Sequence, residues 1–147
     1  LQLLSCLFAT VQISVCLDQI TDDMKRMLLF WLGFMDEKRE ILLHSQIQPE
    51  EPENLYPEVC AECGNEKILV HYSKGRLADL RDINKKIYYI HAVKEEEVCF
   101  RCNSSDTLKY EVRDCYGNLM ESNEVSANQF VIISVPTSGM VEFTRKL

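Results

Sequence analysis

The chain lacks the short motifs that mark the common enzyme classes. It has no Walker phosphate loop, no Gly-x-Gly-x-x-Gly, no Gly-x-Ser-x-Gly and no His-Glu-x-x-His. Its histidines are only His44, His71 and His91, none has a metal-ligating companion at short spacing, and nothing selects a Cys/His nucleophile pair. The expectation is a protein that is not an enzyme. There is no internal repeat and no low-complexity tract, which excludes solenoid and linker-like chains. There is also no initiator methionine, so the sequence reads as a fragment of a longer protein. The apolar strip from Leu1 to Leu17 has no basic leading region, is broken by Gln2, Ser5, Thr10, Gln12 and Ser14, and falls short of the ~20 residues that span a bilayer.

What is present is ordinary in amount. The 147 residues are 46% hydrophobic and 27% charged, enough for one sizeable core. The strongest signal is a pair of cysteine pairs, Cys60-Ala-Glu-Cys63 and Cys99-Phe-Arg-Cys102, separated by residues 64–98. Two cysteines three positions apart at a tight turn bring both sulfurs to one side of a knuckle, and two knuckles complete a tetrahedron around zinc, with Zn–S near ~2.3 Å. Gly64, just past the first pair, tolerates the positive φ such a turn needs, and Asn103 after the second tolerates it better than most residues. Cys60, Cys63, Cys99 and Cys102 are thus the expected ligands of one structural zinc per chain, a closed site without a place for substrate. Disulfides or a redox dithiol are the alternatives. Seven cysteines are an odd number, which argues against a secreted disulfide framework and for an intracellular chain.

Along the chain, the alternation of Ala9, Val11, Ile13, Val15 and Leu17 with polar residues predicts a long strand over 5–18. Thr21 reads as the N-cap of a helix with Asp22 and Asp23 in its first turn and Met24, Met27, Leu28, Trp31, Phe34 and Met35 at helical spacing. Gly33 is a place for it to bend or end, and residues 36–45 suit a second helical piece with Ile41 and Leu42 inward. Residues 46–57, with three prolines and three glutamates, read as an exposed acidic loop. Strands are expected over 68–72, 87–93, 108–113, 118–121, 130–135 and 140–144, with a helix or turn over 77–83 and a hairpin turn at Cys115-Tyr116-Gly117.

Charge is uneven. The net charge is −7, and residues 1–59 carry only Lys25, Arg26, Lys38 and Arg39 as cations. Between the cysteine pairs stand Lys67, Lys74, Arg76, Arg81, Lys85, Lys86 and Lys94, interleaved with Tyr72, Tyr88 and Tyr89. Cations for phosphates beside aromatic faces for bases are what single-strand binding uses, which makes Lys74, Arg76, Arg81, Lys85, Lys86 and Tyr88 the candidate nucleic-acid residues. The competing reading is a sheet filled by tyrosines and rimmed by solvated lysines.

The order of these elements, an apolar strand, a connecting segment, Cys60-Ala-Glu-Cys63-Gly64, a ribbon, Cys99-Phe-Arg-Cys102 and a strand-rich remainder, resembles a zinc-ribbon OB-fold. It is similar to the C-terminal domain of the replication protein A large subunit and to the last OB-fold of the large shieldin subunit. The resemblance implies a mainly β fold with one prominent helix, an OB-fold-like β-barrel carrying an inserted four-cysteine zinc ribbon. It divides one domain over 1–147 into a first strand, helix and acidic loop (1–59), the ribbon with its basic insert (60–102) and the remaining barrel strands (103–147). It further implies a nuclear scaffold of DNA repair or recombination that binds protein partners in a repair or replication complex, single-stranded DNA, or both. A zinc-ribbon interaction module of a transcription or chromatin complex, without nucleic-acid contact, is the alternative.

Overall fold

In the computed structural model the chain is described except for residues 1, 81–83, 104, 105, 127 and 147, and Leu17 is described for its backbone only. The architecture is mainly β, with one prominent helix. Helix α1 (Asp22–Glu37) starts where expected: the Thr21 hydroxyl oxygen accepts the Met24 N–H at 3.2 Å, and Asp22 and Asp23 occupy the positive end of the helix dipole. It runs through Gly33 and meets a short α2 (Arg39–His44), whose Ile41 and Leu42 are buried.

Two sheets follow. The larger holds seven strands in the order β1 (Gln46–Glu50), β2 (Glu58–Cys63), β3 (Glu66–His71), β5 (Lys86–His91), β10 (Met140–Arg145), β7 (Leu108–Arg113) and β8 (Leu119–Val125). The smaller holds β4 (Leu77–Leu80), β6 (Glu97–Cys102) and β9 (Gln129–Ser134), in that order. Neither sheet closes into a barrel, which corrects the barrel expected from the resemblance. Each ends in two edge strands, β1 and β8 in one and β4 and β9 in the other.

The seven-stranded sheet is apolar on both faces, which accounts for uninterrupted runs such as Ile68-Leu69-Val70. On one face Ala61, Ile68, Val70, Tyr88, Ile90 and Met140 pack against Leu4, Leu7, Trp31, Phe34, Ile41 and Leu42 of the N-terminal segment and helices. On the other, Leu69, Ile87, Tyr89, Val141 and Phe143 meet Ala78, Leu80, Val98, Phe100 and Ile133 of the small sheet. The layers are therefore helices, large sheet, small sheet. Gly117, at φ +83°, lies so close to Phe30 that an added Cβ would stand 2.5 Å from the ring, so this glycine lets α1 dock on the β7–β8 turn.

Three local expectations are corrected. Residues 5–18 form no strand: there are short 3-10 turns at Leu4–Cys6 and Leu17–Gln19, and the alternating stretch between them has no neighbouring strand to complete a ladder. Residues 46–50 of the expected acidic loop are instead edge strand β1, paired antiparallel with β2. The helix or turn expected over 77–83 is strand β4 over 77–80, parallel to β6, while 81–83 lie outside the described residues.

Candidate interaction surface

The cysteine pairs lie within β2 and β6 and not in knuckles. Successive strand residues point to opposite faces, so positions i and i+3 diverge. Cys60 and Cys102 face the core between the sheets, whereas Cys63 shares the opposite face of β2 with Ala61 and is exposed, and Cys99 lies on the face of β6 turned away from the core. As arranged, the four thiols fall on both faces of their strands, and among the described residues no three His, Cys, Asp or Glu side chains group as metal ligands. Burial pushes the Cys60 thiol up to about 11 despite the nearby Lys67 ammonium, and burial does the same at Cys102, also to about 11. Both are thiols at neutral pH and weak nucleophiles. Gly64 does adopt positive φ, +55°, but in the two-residue turn joining β2 to β3.

The candidate nucleic-acid residues are likewise separated. Tyr88 is 3% exposed: its ring packs edge-on against Phe34 at 5.6 Å, with the ammoniums of Lys38 and Lys86 at 4.6 and 5.0 Å from its centroid. A base cannot stack on it. Lys86 pairs with Glu142 at 2.8 Å and Lys85 with Glu62 at 2.5 Å. Arg76 forms a two-pronged pair with Glu51 at 2.7 and 3.2 Å. Lys74 is exposed and stands 3.9 Å from Glu95. Arg81 lies outside the described residues. Arg76 borders a charged cleft of about 410 Å³ at the β1–β4 side, whereas Tyr88 belongs to the helix-facing side of β5.

Lys38, not singled out by its sequence, is the most enclosed ammonium in the helical layer. Burial alone would lower its pKa, but hydrogen bonds to Glu66 at 2.6 Å, to Tyr88 and to Glu37 outweigh that and raise it. It ties the α1–α2 junction to β3.

A second polar network is enclosed between the sheets. β3 and β5 run parallel with His71 beside His91, and Tyr89 Oη lies 3.2 Å from His71 Nδ1 and 3.0 Å from His91 Nδ1. His91 Nε2 faces the Glu95 carbonyl, which can only accept, so in the neutral ring that nitrogen carries the hydrogen and Nδ1 accepts from Tyr89. The Tyr89 oxygen can then accept from His71 Nδ1, and His71 Nε2 lies 2.7 Å from Glu58 Oε2. The adjoining cavity is about 10 Å³, too small for a substrate. Burial holds His91 below the ordinary histidine range. The unfolded chain therefore takes up a proton that the folded chain refuses, so this contribution is intact above about pH 6.5 and is lost as pH falls from there toward the folded-state value. Thermal melts from pH 7.5 to 5 should show the loss, with a shallower slope in His91→Gln; parallel slopes would remove His91 from the account.

The surface that remains open is apolar. On the small sheet, Phe130 and Ile132 are 66% and 68% exposed, alternating with inward Val131 and Ile133. The strand register sets Ile132 beside Cys99 and Cys99 beside Leu77, with Phe130 beside Arg101 in the next row. Arg101 is bound by Asp79. On the helical layer Leu29 is exposed. No strong sequence signal marks this surface, because Gln129-Phe-Val-Ile-Ile-Ser134 has the composition of a buried strand. No family model, no curated protein and no solved structure matches the chain.

Proposed function

We propose that this chain is a non-enzymatic interaction domain of a nuclear genome-maintenance scaffold, and that it binds protein and not single-stranded DNA. The observation that carries the choice is the disposition of charge. Of the insert's cations, Lys67, Lys74, Arg76, Lys85 and Lys86 stand against the chain's own carboxylates, and Tyr88 is walled in, while Phe130, Ile132 and Leu77 stand open on a sheet face. Phosphates would have to displace intramolecular partners from a chain of net charge −7, an unfavourable exchange on both counts. An exposed aromatic and aliphatic patch suits a protein surface.

The repair-scaffold setting rests on the resemblance of the cysteine pairs and element order to zinc-ribbon OB-folds. A zinc held by Cys60, Cys63, Cys99 and Cys102 would require β2 and β6 to open into knuckles, breaking ladder pairs such as Cys63 with Glu66 and Cys102 with Gln129.

Fluorescence anisotropy with a labelled single-stranded oligonucleotide at low salt tests the choice. No measurable binding is expected. A tight complex whose affinity falls steeply with salt would establish phosphate contact and overturn the protein-only reading.

A further inference from the structure

The buried histidines lie in a line of contacts that needs one more hydrogen than the neutral side chains carry. Glu58 Oε2 lies 2.7 Å from His71 Nε2, His71 Nδ1 lies 3.2 Å from Tyr89 Oη, Tyr89 Oη lies 3.0 Å from His91 Nδ1, and His91 Nε2 meets the Glu95 carbonyl. Each of these four contacts is within hydrogen-bond reach and needs one hydrogen between its two atoms. The Glu95 carbonyl and the Glu58 carboxylate only accept, so the hydrogens come from the two rings and the phenol. Two neutral imidazoles and one hydroxyl supply three. With only those three, one contact sets two lone pairs against each other among side chains that are 0 to 2% exposed, where an unmade hydrogen bond carries its full desolvation cost.

A fourth hydrogen closes the line, and Glu58 selects where it sits. An imidazolium at His71 stands against a carboxylate at 2.7 Å, whereas one at His91 would face only a backbone carbonyl.

We propose that the fold binds one proton beyond the neutral side chains, held as a His71 imidazolium paired with Glu58, while His91 stays neutral. The donors then run outward from His71: Nε2–H to Glu58, Nδ1–H to Tyr89 Oη, Tyr89 O–H to His91 Nδ1, and His91 Nε2–H to the Glu95 carbonyl. One proton passes from water to the His71 ring as the chain folds, and no other bond to hydrogen is made or broken.

The surroundings agree with that placement. Residues 72–76 bring Lys74 and Arg76, residues 92–96 bring Glu95 and Glu96, and β6 brings Glu97. Lys74 faces Glu95 and Arg76 is forked onto Glu51, with its Nε 4.0 Å from Glu58. β10 sets Val141 beside Tyr89, and the small sheet sets Phe100 edge-on to the Tyr89 ring. Burial pushes the Tyr89 hydroxyl above its ordinary range, so the phenol keeps its hydrogen, and burial also opposes a second proton at His91. The folded chain thus holds a proton that an unfolded histidine releases above about pH 6.5, so this contribution is lost as pH rises, opposite in sign to that of His91. One proton favours the fold and a second opposes it.

Ring-nitrogen shifts of nitrogen-15-labelled protein at pH 7.5 should show His71 protonated at both nitrogens and His91 at Nε2 alone. Glu58→Gln supplies the missing hydrogen from its own amide, so it should fold with two neutral rings. Urea unfolding at pH 7 and pH 8 then compares the two chains, whose thiols are the same and cancel. From the lower to the higher pH the wild-type folding constant should fall by about fivefold more than that of Glu58→Gln. A His71 ring with a single hydrogen at pH 7.5, or equal pH dependence in the two chains, would overturn the proposal. The ring spectra use the wild type, so they decide the matter even if Glu58→Gln folds poorly.

Discussion

Phe100→Ala is expected to lower the unfolding free energy by about 3 to 5 kcal/mol, the largest loss from a single side chain in the core between the sheets. Phe100 is fully enclosed and stands edge-on to Tyr89 at 4.8 Å and against Phe143 at 5.1 Å. Truncation removes the transfer energy of the ring, leaves a cavity between two sheets that cannot collapse independently, and deprives Tyr89 and Phe143 of an aromatic partner worth about 0.5 to 1.5 kcal/mol each. A domain of this size has about 5 to 15 kcal/mol in total, so the variant sits near the threshold of folding. Phe130→Ala, at an equally apolar but open position of neighbouring β9, should stay within about 0.5 kcal/mol. Urea denaturation with a shared slope measures both. Nearly equal losses would mean that the small sheet does not pack on the large one as described. Phe100 is the better probe than Trp31 because Trp31 Nε1 is buried without a hydrogen-bond partner among the described residues, so removing the indole relieves one cost while imposing another.

The sequence was most readable where local chemistry and tertiary packing agree. Thr21 followed by Asp22 and Asp23 caps α1, and the helical spacing of Trp31 and Phe34 marks the buried face. The hairpin at Cys115-Tyr116-Gly117 was legible because Asp114 and Gly117 make a turn on their own: the Asp114 carboxylate accepts the backbone N–H groups of Tyr116 and Asn118, each at 2.9 Å. Edge elements were not legible. β1 contains a proline and is exposed at all five positions, so nothing in its pattern says strand; its conformation comes from pairing with β2. Residues 9–17 show the converse, a good alternation with no sheet edge to join. Charge patterning is silent on intramolecular partners for a related reason. A sequence shows cations and tyrosines in one segment, but the carboxylates that bind them, Glu51, Glu62 and Glu142, come from β10 and from residues ahead of the insert.

Pairing across layers also limits what spacing says about the cysteines. Cys-x-x-Cys converges only if the chain turns between the thiols; in a strand the same spacing sends them to opposite faces, and Gly64 serves a hairpin turn as readily as a knuckle. The four positions are therefore expected to differ sharply under substitution. Cys60→Ser and Cys102→Ser each bury a hydroxyl in the inter-sheet core and should lose about 1 to 3 kcal/mol. Cys63→Ser, at the exposed end of β2, should be nearly neutral, and Cys99→Ser should fall between. Thermal melts of the four variants, each with metal content measured on the same sample, decide between this pattern and a shared ion. A four-thiolate zinc makes every ligand indispensable, so Cys63→Ser would then cost as much as Cys60→Ser and release about one zinc per chain. Equal collapse of all four would require β2 and β6 to be knuckles in the metal-bound protein. A graded series, steep at Cys60 and Cys102 and flat at Cys63, would make the thiols ordinary residues of two strands.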